Sequence, residues 1–229
     1  MIAIKNLKKK YSADFTLKID SLEIPAGEKI ALVGANGSGK STLLKLVSGY
    51  IEPDEGEIIF ERSIDAAYLP QNPYIFSGSV RKNILVGLVK KEDKSDSEAR
   101  LKLLLDNVGL SRFDKKSAGK LSGGEMQRMV FARMLIGSHK LLLLDEPLSA
   151  VDVDFKDTLE EILSDYCRRN GTTLIMSTHT PIEAVKICDK LIIMHKGEVA
   201  EYGDCGEIIK NPKTNFGKAF LRQWRITDA

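Results

Sequence analysis

Cysteine is scarce in this chain. The three present, Cys167, Cys188 and Cys205, are odd in number and far apart, with no C-x-x-C pair or His/Cys cluster around them. Their spacing gives no disulfide framework and no metal-ligand set, and the plain reading is reduced thiols of a cytosolic protein. Long apolar runs are missing too. No stretch reaches the ~18 apolar residues of a membrane span, and Met1–Tyr11 has no apolar core of signal-peptide length. Any membrane role must therefore come through a partner. Nor is there an excess of one charge. Lys+Arg 34 against Asp+Glu 32 leaves a formal net charge of +2, which removes the global case for a nucleic-acid or anionic-membrane binder. No repeat or low-complexity tract occurs. What remains is 229 residues, 43% hydrophobic and 29% charged, an ordinary globular composition with room for one large α/β domain or two small ones.

Against that background one stretch stands out. Gly34-Ala35-Asn36-Gly37-Ser38-Gly39-Lys40-Ser41 meets every fixed position of the phosphate-binding loop pattern G-x-x-x-x-G-K-[ST]. The apolar run Ile30–Val33 before it predicts a buried strand, and Thr42–Val47 after it predicts a helix. In that setting Gly34, Gly37 and Gly39 let the backbone turn tightly with its N–H groups inward. The helix start offers unpaired N–H groups and a positive dipole end. Lys40 brings a charge for the β- and γ-phosphates of a nucleotide, and the Ser41 hydroxyl is placed to ligate Mg²⁺. A chance glycine-rich turn would not supply strand, glycines, Lys and Ser together.

The rest of the chain reads as strands and helices around this loop. Ile2–Ile4 and Phe15–Ile19 alternate apolar and polar, as in a half-buried antiparallel sheet. Tyr11, on the loop between them, is either an aromatic platform for an adenine ring or an ordinary exposed tyrosine. Ile58–Phe60 and Ala66–Leu69 predict strands, and Gln71 just after them could reach a γ-phosphate, its Mg²⁺ or the attacking water. Val80, Ile84, Leu85 and Leu88 suggest a short helix. Lys90–Asp96 reads as a charged, solvated link, and Leu101, Leu104, Leu105 and Val108 line one face of a second helix. Leu121-Ser122-Gly123-Gly124-Glu125 predicts a helix capped by Ser122. Two glycines in a first turn are costly unless a ligand approaches the backbone, so this is a second helix start suited to phosphate.

Leu141–Leu144 is a continuous apolar run, as in a central parallel strand, and it ends in Asp145-Glu146. Asp145 can hold Mg²⁺ through water, and Glu146 can orient and polarise the attacking water. Asp154–Cys167 predicts a helix. Gly171–His179 predicts another strand, bringing His179 to the same sheet edge as Gln71 and Glu146. His139 and His195 have no such context. A helix over 182–187, a hairpin turning at Lys196-Gly197, and a helical tail from Glu207 with Phe216, Phe220, Leu221 and Trp224 inward complete the reading.

The order of these motifs, over essentially the whole chain, resembles the ATP-binding cassette ATPases, with Leu-Ser-Gly-Gly as the distinguishing element. The resemblance implies an α/β fold: a P-loop NTPase core, an N-terminal antiparallel β subdomain and an inserted α-helical subdomain at about 72–135. It implies ATP and Mg²⁺ as ligands. Tyr11 would stack on adenine, and Gly34 through Thr42 would hold the phosphates. Ser41, Gln71 and Asp145 would serve Mg²⁺, and Lys40, Gln71, Glu146 and His179 would serve catalysis. It implies a head-to-tail dimer in which Ser122, Gly123 and Gly124 close on the ATP of the partner subunit while Asp152 communicates across the interface. Gln71, Tyr74 and Phe76 would sense a membrane permease. The location implied is cytoplasmic, peripheral on the inner face of the membrane, with a solute-binding protein as a further partner and no nucleic acid.

Within the family, Glu125 after Leu-Ser-Gly-Gly and the preceding Lys115–Lys120 favour an importer-like cassette, as does the separate ATPase polypeptide. Phe76–Ile84 looks exporter-like, yet also resembles the corresponding loop of oxyanion importers for tungstate or phosphate. The expectation from this length is a cassette without the extra C-terminal regulatory domain of many sugar and molybdate importers. Import of a small solute, an inorganic oxyanion first, is the expectation. An export or lipoprotein-release cassette and a soluble non-transport cassette are the alternatives. A phosphate-loop protein that binds without hydrolysing is disfavoured by Glu146.

Overall fold

The computed structural model of the chain describes residues 1–11, 15–61, 64–88, 93–149, 151 and 153–223. Asp152, Trp224 and Lys90–Glu92 of the expected charged link lie outside them, while Lys94–Asp96 of that link belong to a helix.

Two sheets carry the fold. β1 (Ile2–Lys10), β2 (Thr16–Ile24) and β4 (Glu55–Phe60) form an antiparallel sheet in the order β2-β1-β4. The N-terminal pairing is the expected one. Its third strand comes from beyond the phosphate loop, through the antiparallel register of Ile4 with Ile58. The second sheet has six strands in the order β5-β6-β7-β3-β8-β9. They are β3 (Lys29–Val33), β5 (Ala66–Leu69), β6 (Leu141–Asp145), β7 (Thr173–Ser177), β8 (Lys190–His195) and β9 (Glu198–Asp204). All neighbours are parallel except the final hairpin β8–β9.

Strand periodicity explains why the central runs are apolar throughout. Successive side chains point to opposite faces. Ile30 and Leu32 of β3, with Leu141 and Leu143 of β6, face the three-stranded sheet and helix α1 (Lys40–Val47). Ala31, Val33, Leu142 and Leu144 face the other way, into a core built with the remaining helices. A sheet covered on both faces needs no polar side.

Between β5 and β6 the chain is helical. α2 (Val80–Leu85), α3 (Lys94–Asn107) and α4 (Gly123–Leu135) pack Val80, Ile84, Leu101, Leu104, Leu105 and Val108 against Met129–Ala132. α5 (Val153–Asn170) runs past its expected end at Cys167, and α6 (Pro181–Ile187) follows β7. The C-terminal segment is two short helices, α7 (Cys205–Lys210) and α8 (Asn215–Arg222). Phe220 and Leu221 are buried, and Phe216 stacks on the His195 ring with centroids 3.7 Å apart. The buried Glu201 of β9 ties this segment down, accepting from the N–H groups of Lys213 (3.1 Å) and Thr214 (2.7 Å) and from the Thr214 hydroxyl (2.6 Å). No helix of the described residues is long and apolar enough to cross a membrane.

Candidate functional site

The loop between β3 and α1 is held by its own backbone. Ser38 N–H donates to Ala35 O (3.1 Å), Gly197 N–H donates to Ser38 O (3.0 Å), and the Lys40 ammonium folds back onto the carbonyls of Gly34 (2.9 Å) and Ala35 (3.2 Å). Glycine is required at Gly34, where a β-carbon would lie 2.4 Å from Met194 O and 2.7 Å from Ser38 Oγ. Gly39 takes φ 107°, and helix α1 starts from it at Lys40, two residues before the sequence pattern suggested. No side chain caps that helix and no acidic residue stands in its first turn, so its leading N–H groups remain open to an anion. Ser38 Oγ is buried without a partner among the described residues. An uncapped helix start beside an orphaned buried hydroxyl fits a bound phosphate chain. Burial pulls the Lys40 ammonium below its ordinary pKa, while Glu146 and Asp145 nearby pull it back up.

The sheet order brings the other groups to this loop. β7 lies beside β3, with β6 and then β5 next in the same parallel array, so the C-terminal ends of all four strands open onto one edge. An open cavity of about 550 Å³ is lined by Tyr11, Phe15, Asn36 through Thr42, Gln71, Glu146 and His179. Glu146 joins two of the other lining residues. Gln71 Nε2 donates to Glu146 Oε2 at 2.9 Å, and His179 Nε2 lies 2.5 Å from Glu146 Oε1. Asp145 is buried behind the cavity wall, its Oδ1 accepting from the Ser177 hydroxyl at 2.7 Å. The hydroxyl of Ser41, the amide of Gln71 and the carboxylate of Asp145 are hard oxygen donors, the chemistry a Mg²⁺ ion prefers. Tyr11 is more than half exposed at the mouth of the cavity, a flat ring free to stack.

Two groups beside this site were not evident from sequence. Phe15 lines the cavity, and its ring would lie 3.1 Å from a β-carbon at Gly39. An aromatic opening an alternating strand is too common to single out. Gln127, buried in α4, donates to Pro147 O at 3.0 Å and so ties that helix to the loop after Glu146.

Ser122, Gly123 and Gly124 do not line the cavity of their own chain. They form a capping box. The Ser122 hydroxyl accepts from Glu125 N–H (3.3 Å), and the Glu125 carboxylate accepts from Ser122 N–H (2.8 Å), which holds that carboxyl below its ordinary pKa. Tyr74 and Phe76 stand at a separate groove of about 400 Å³ that runs from β5 to α4. Their rings meet edge-on at 5.1 Å, and both are exposed, Tyr74 at 72% and Phe76 at 41%.

Comparison with known proteins gives a consistent picture. The family described as ABC transporter matches residues 17–149. The sulfate/thiosulfate import ATP-binding protein of Chromobacterium violaceum is 37% identical over 96% of this chain and 63% of its own length. The spermidine/putrescine import ATP-binding protein of Clostridium acetobutylicum is 34% identical over 96% of this chain and 66% of its own. The chain thus spans a little under two thirds of the length of these relatives. Among solved structures, cbiO1 of Clostridium perfringens, part of the cbiONQ ABC transporter complex, superposes with a TM-score of 0.78 at 26% identity, covering 92% of this chain and 90% of that one. An ATP-binding subunit of an ABC transporter shares the fold at a TM-score of 0.83 and 23% identity, covering 97% and 99%.

Proposed function

From the premise that this chain belongs to the ABC transporter family, we propose that it binds and hydrolyses ATP to drive a separate membrane permease, in the direction of import. The observation that carries the reading is the single cavity joining Tyr11, the phosphate loop, Gln71, Glu146 and His179, with Ser122–Gly124 left outside it. Tyr11 stacks on adenine. Gly34 through Thr42 hold the phosphates, and Lys40 exchanges its two carbonyl contacts for phosphate oxygens. Bound Mg²⁺, with Ser41, Gln71 and Asp145 as its protein donors, supplies charge neutralisation of the phosphates. Glu146 orients and polarises the water that attacks the γ-phosphorus, and His179 and Gln71, already on its carboxylate, turn to the γ-phosphate.

A capped helix start with two glycines, unused by its own site, suits the ATP held by a second cassette. The functional unit is then a head-to-tail dimer that closes on two ATP molecules and opens after hydrolysis. The helical segment at about 72–135 moves Ser122–Gly124 as a subdomain. The groove at Tyr74 and Phe76 receives the permease, which places the chain at the inner face of a membrane, with a solute-binding protein delivering cargo. The relatives are named for an oxyanion and for polyamines, so the solute is assigned to the permease and its binding protein.

Glu146→Gln tests the reading. The variant should lose ATP hydrolysis and accumulate as an ATP-bound dimer on gel filtration. Hydrolysis at the wild-type rate would refute the role of Glu146. A monomer under saturating ATP–Mg²⁺ would refute the dimer.

A further inference from the structure

We propose that Ser177 is a positioning residue for hydrolysis, acting through Asp145 and Glu146 rather than on the nucleotide. The inference rests on the ATPase reading above. Ser177 is the last residue of β7, after the apolar Leu174–Met176, and it is fully buried at 0% exposure. Parallel pairing sets it beside Asp145 across the β6–β7 ladder. Its hydroxyl makes two bonds of opposite sense, donating to Asp145 Oδ1 at 2.7 Å and accepting from Glu146 N–H at 2.9 Å.

Both bonds answer a need created by the chain turn. Glu146 takes φ 53°, in the left-handed region that non-glycine residues rarely enter. That turn swings the Glu146 side chain into the cavity and takes its N–H off the strand ladder. An N–H there without a partner would be orphaned, and Ser177 Oγ is the partner. The hydroxyl proton meanwhile selects Oδ1 of Asp145, while Oδ2 takes no hydrogen bond among the described residues. One hydroxyl thus sets the rotation of the carboxylate assigned to the metal and the backbone turn that presents the carboxylate assigned to water. An apolar residue would pack equally well and would set neither.

The test is a kinetic split. Ser177→Ala should lower kcat by about tenfold to a hundredfold, the loss of one charge-assisted hydrogen bond. It should also raise the Mg²⁺ concentration for half-maximal ATPase severalfold, while metal-free nucleotide binding stays within about twofold. Ser177→Thr, which returns the hydroxyl, should recover most of the rate. A merely packing role would scale kcat with the folded fraction and leave the Mg²⁺ half-saturation unmoved, and that result overturns the proposal. So does a folded threonine variant as impaired as alanine. If the alanine variant does not fold, Ser177→Cys, of similar size but a weak donor, carries the same Mg²⁺ measurement with the same two outcomes. Wild type and Glu146→Gln run alongside separate the two levels. A wild type without ATPase, or an active Glu146→Gln, removes the parent reading. With those controls sound, a normal Ser177→Ala removes this inference alone.

Discussion

Gly123→Ala should move stability and activity in opposite directions. Gly123 opens α4, one residue after the Ser122 cap. A β-carbon added there would meet no atom of the described residues within 4 Å, so their packing gives no reason for a glycine. Alanine is the better helix former by roughly 1 kcal/mol in a helix interior and by less in a first turn, where about 0.5 kcal/mol is a fair expectation. For a domain of this size ~1 kcal/mol is roughly 2–4 °C in Tm, so the nucleotide-free variant should melt about 1–2 °C higher. The proposed dimer makes the opposite demand. If the backbone of this turn approaches the partner's ATP, a methyl group enters the space meant for phosphate oxygen, and ATPase should fall by about tenfold or more, some 1.4 kcal/mol. Differential scanning fluorimetry without nucleotide and phosphate release at saturating ATP–Mg²⁺ measure the two effects. A more stable variant with wild-type turnover would refute close approach of a partner at Gly123. A variant destabilised by several degrees would refute the claim that the position is open within the monomer.

Three further outcomes follow from named contacts. Glu201→Gln should lower Tm by about 4–8 °C, from roughly 2 kcal/mol for a weakened charge-assisted cluster at Lys213 and Thr214. Burial favours the protonated form of Glu201, but the bonds from Thr214 and Lys213 outweigh it and hold the carboxyl below its usual 4.5. Its stabilisation is therefore full above the unfolded value, and the gap between wild type and variant should close as pH falls through the lower folded value. A gap that persisted below that range would refute the clamp. The three thiols should resist iodoacetamide at pH 8 until the chain is unfolded, since all are buried and burial pushes Cys167 and Cys205 up to about 11 and Cys188 well above its usual value. Mass spectrometry of native and denatured samples reads this directly. Tyr11→Ala should weaken ATP binding about tenfold, the scale of one lost aromatic–base stack, while Tyr11→Trp stays near wild type by titration calorimetry. Equal affinities would return Tyr11 to the status of a surface tyrosine.

Local chemistry was readable wherever the cause lies within a few residues. The phosphate loop needs its glycines, Lys40 and Ser41 at fixed spacing because one turn of chain must surround one phosphate group. The Ser122 cap lies within a single helical turn, and the structure adds Glu125 as its reciprocal partner. The apolar run Leu141–Leu144 announced a strand covered on both sides. Boundaries were less sharp. α1 begins at Lys40 because Gly39 adopts a left-handed φ, a conformational choice that periodicity does not register. The C-terminal tail breaks between α7 and α8 at Asn211-Pro212 and restarts at the Thr214 cap, and the Glu201 carboxylate of β9 holds that turn through Lys213 and Thr214, a contact distant in sequence.

The sequence by itself determined which groups exist and which short stretches can bind an anion, since spacing along a turn or a strand is set by covalent geometry. Only the tertiary structure decided who meets whom. Gln71, Glu146 and His179 meet at one carboxylate because β5, β6 and β7, which they follow, pair in that order, although long stretches of chain separate them. Ser177 acquired its two partners from the β6–β7 register, and a slip of one residue would have pointed its hydroxyl to the other face. Those pairings come from burying the apolar faces of a six-stranded sheet, a property of the whole chain that no local pattern of residues records.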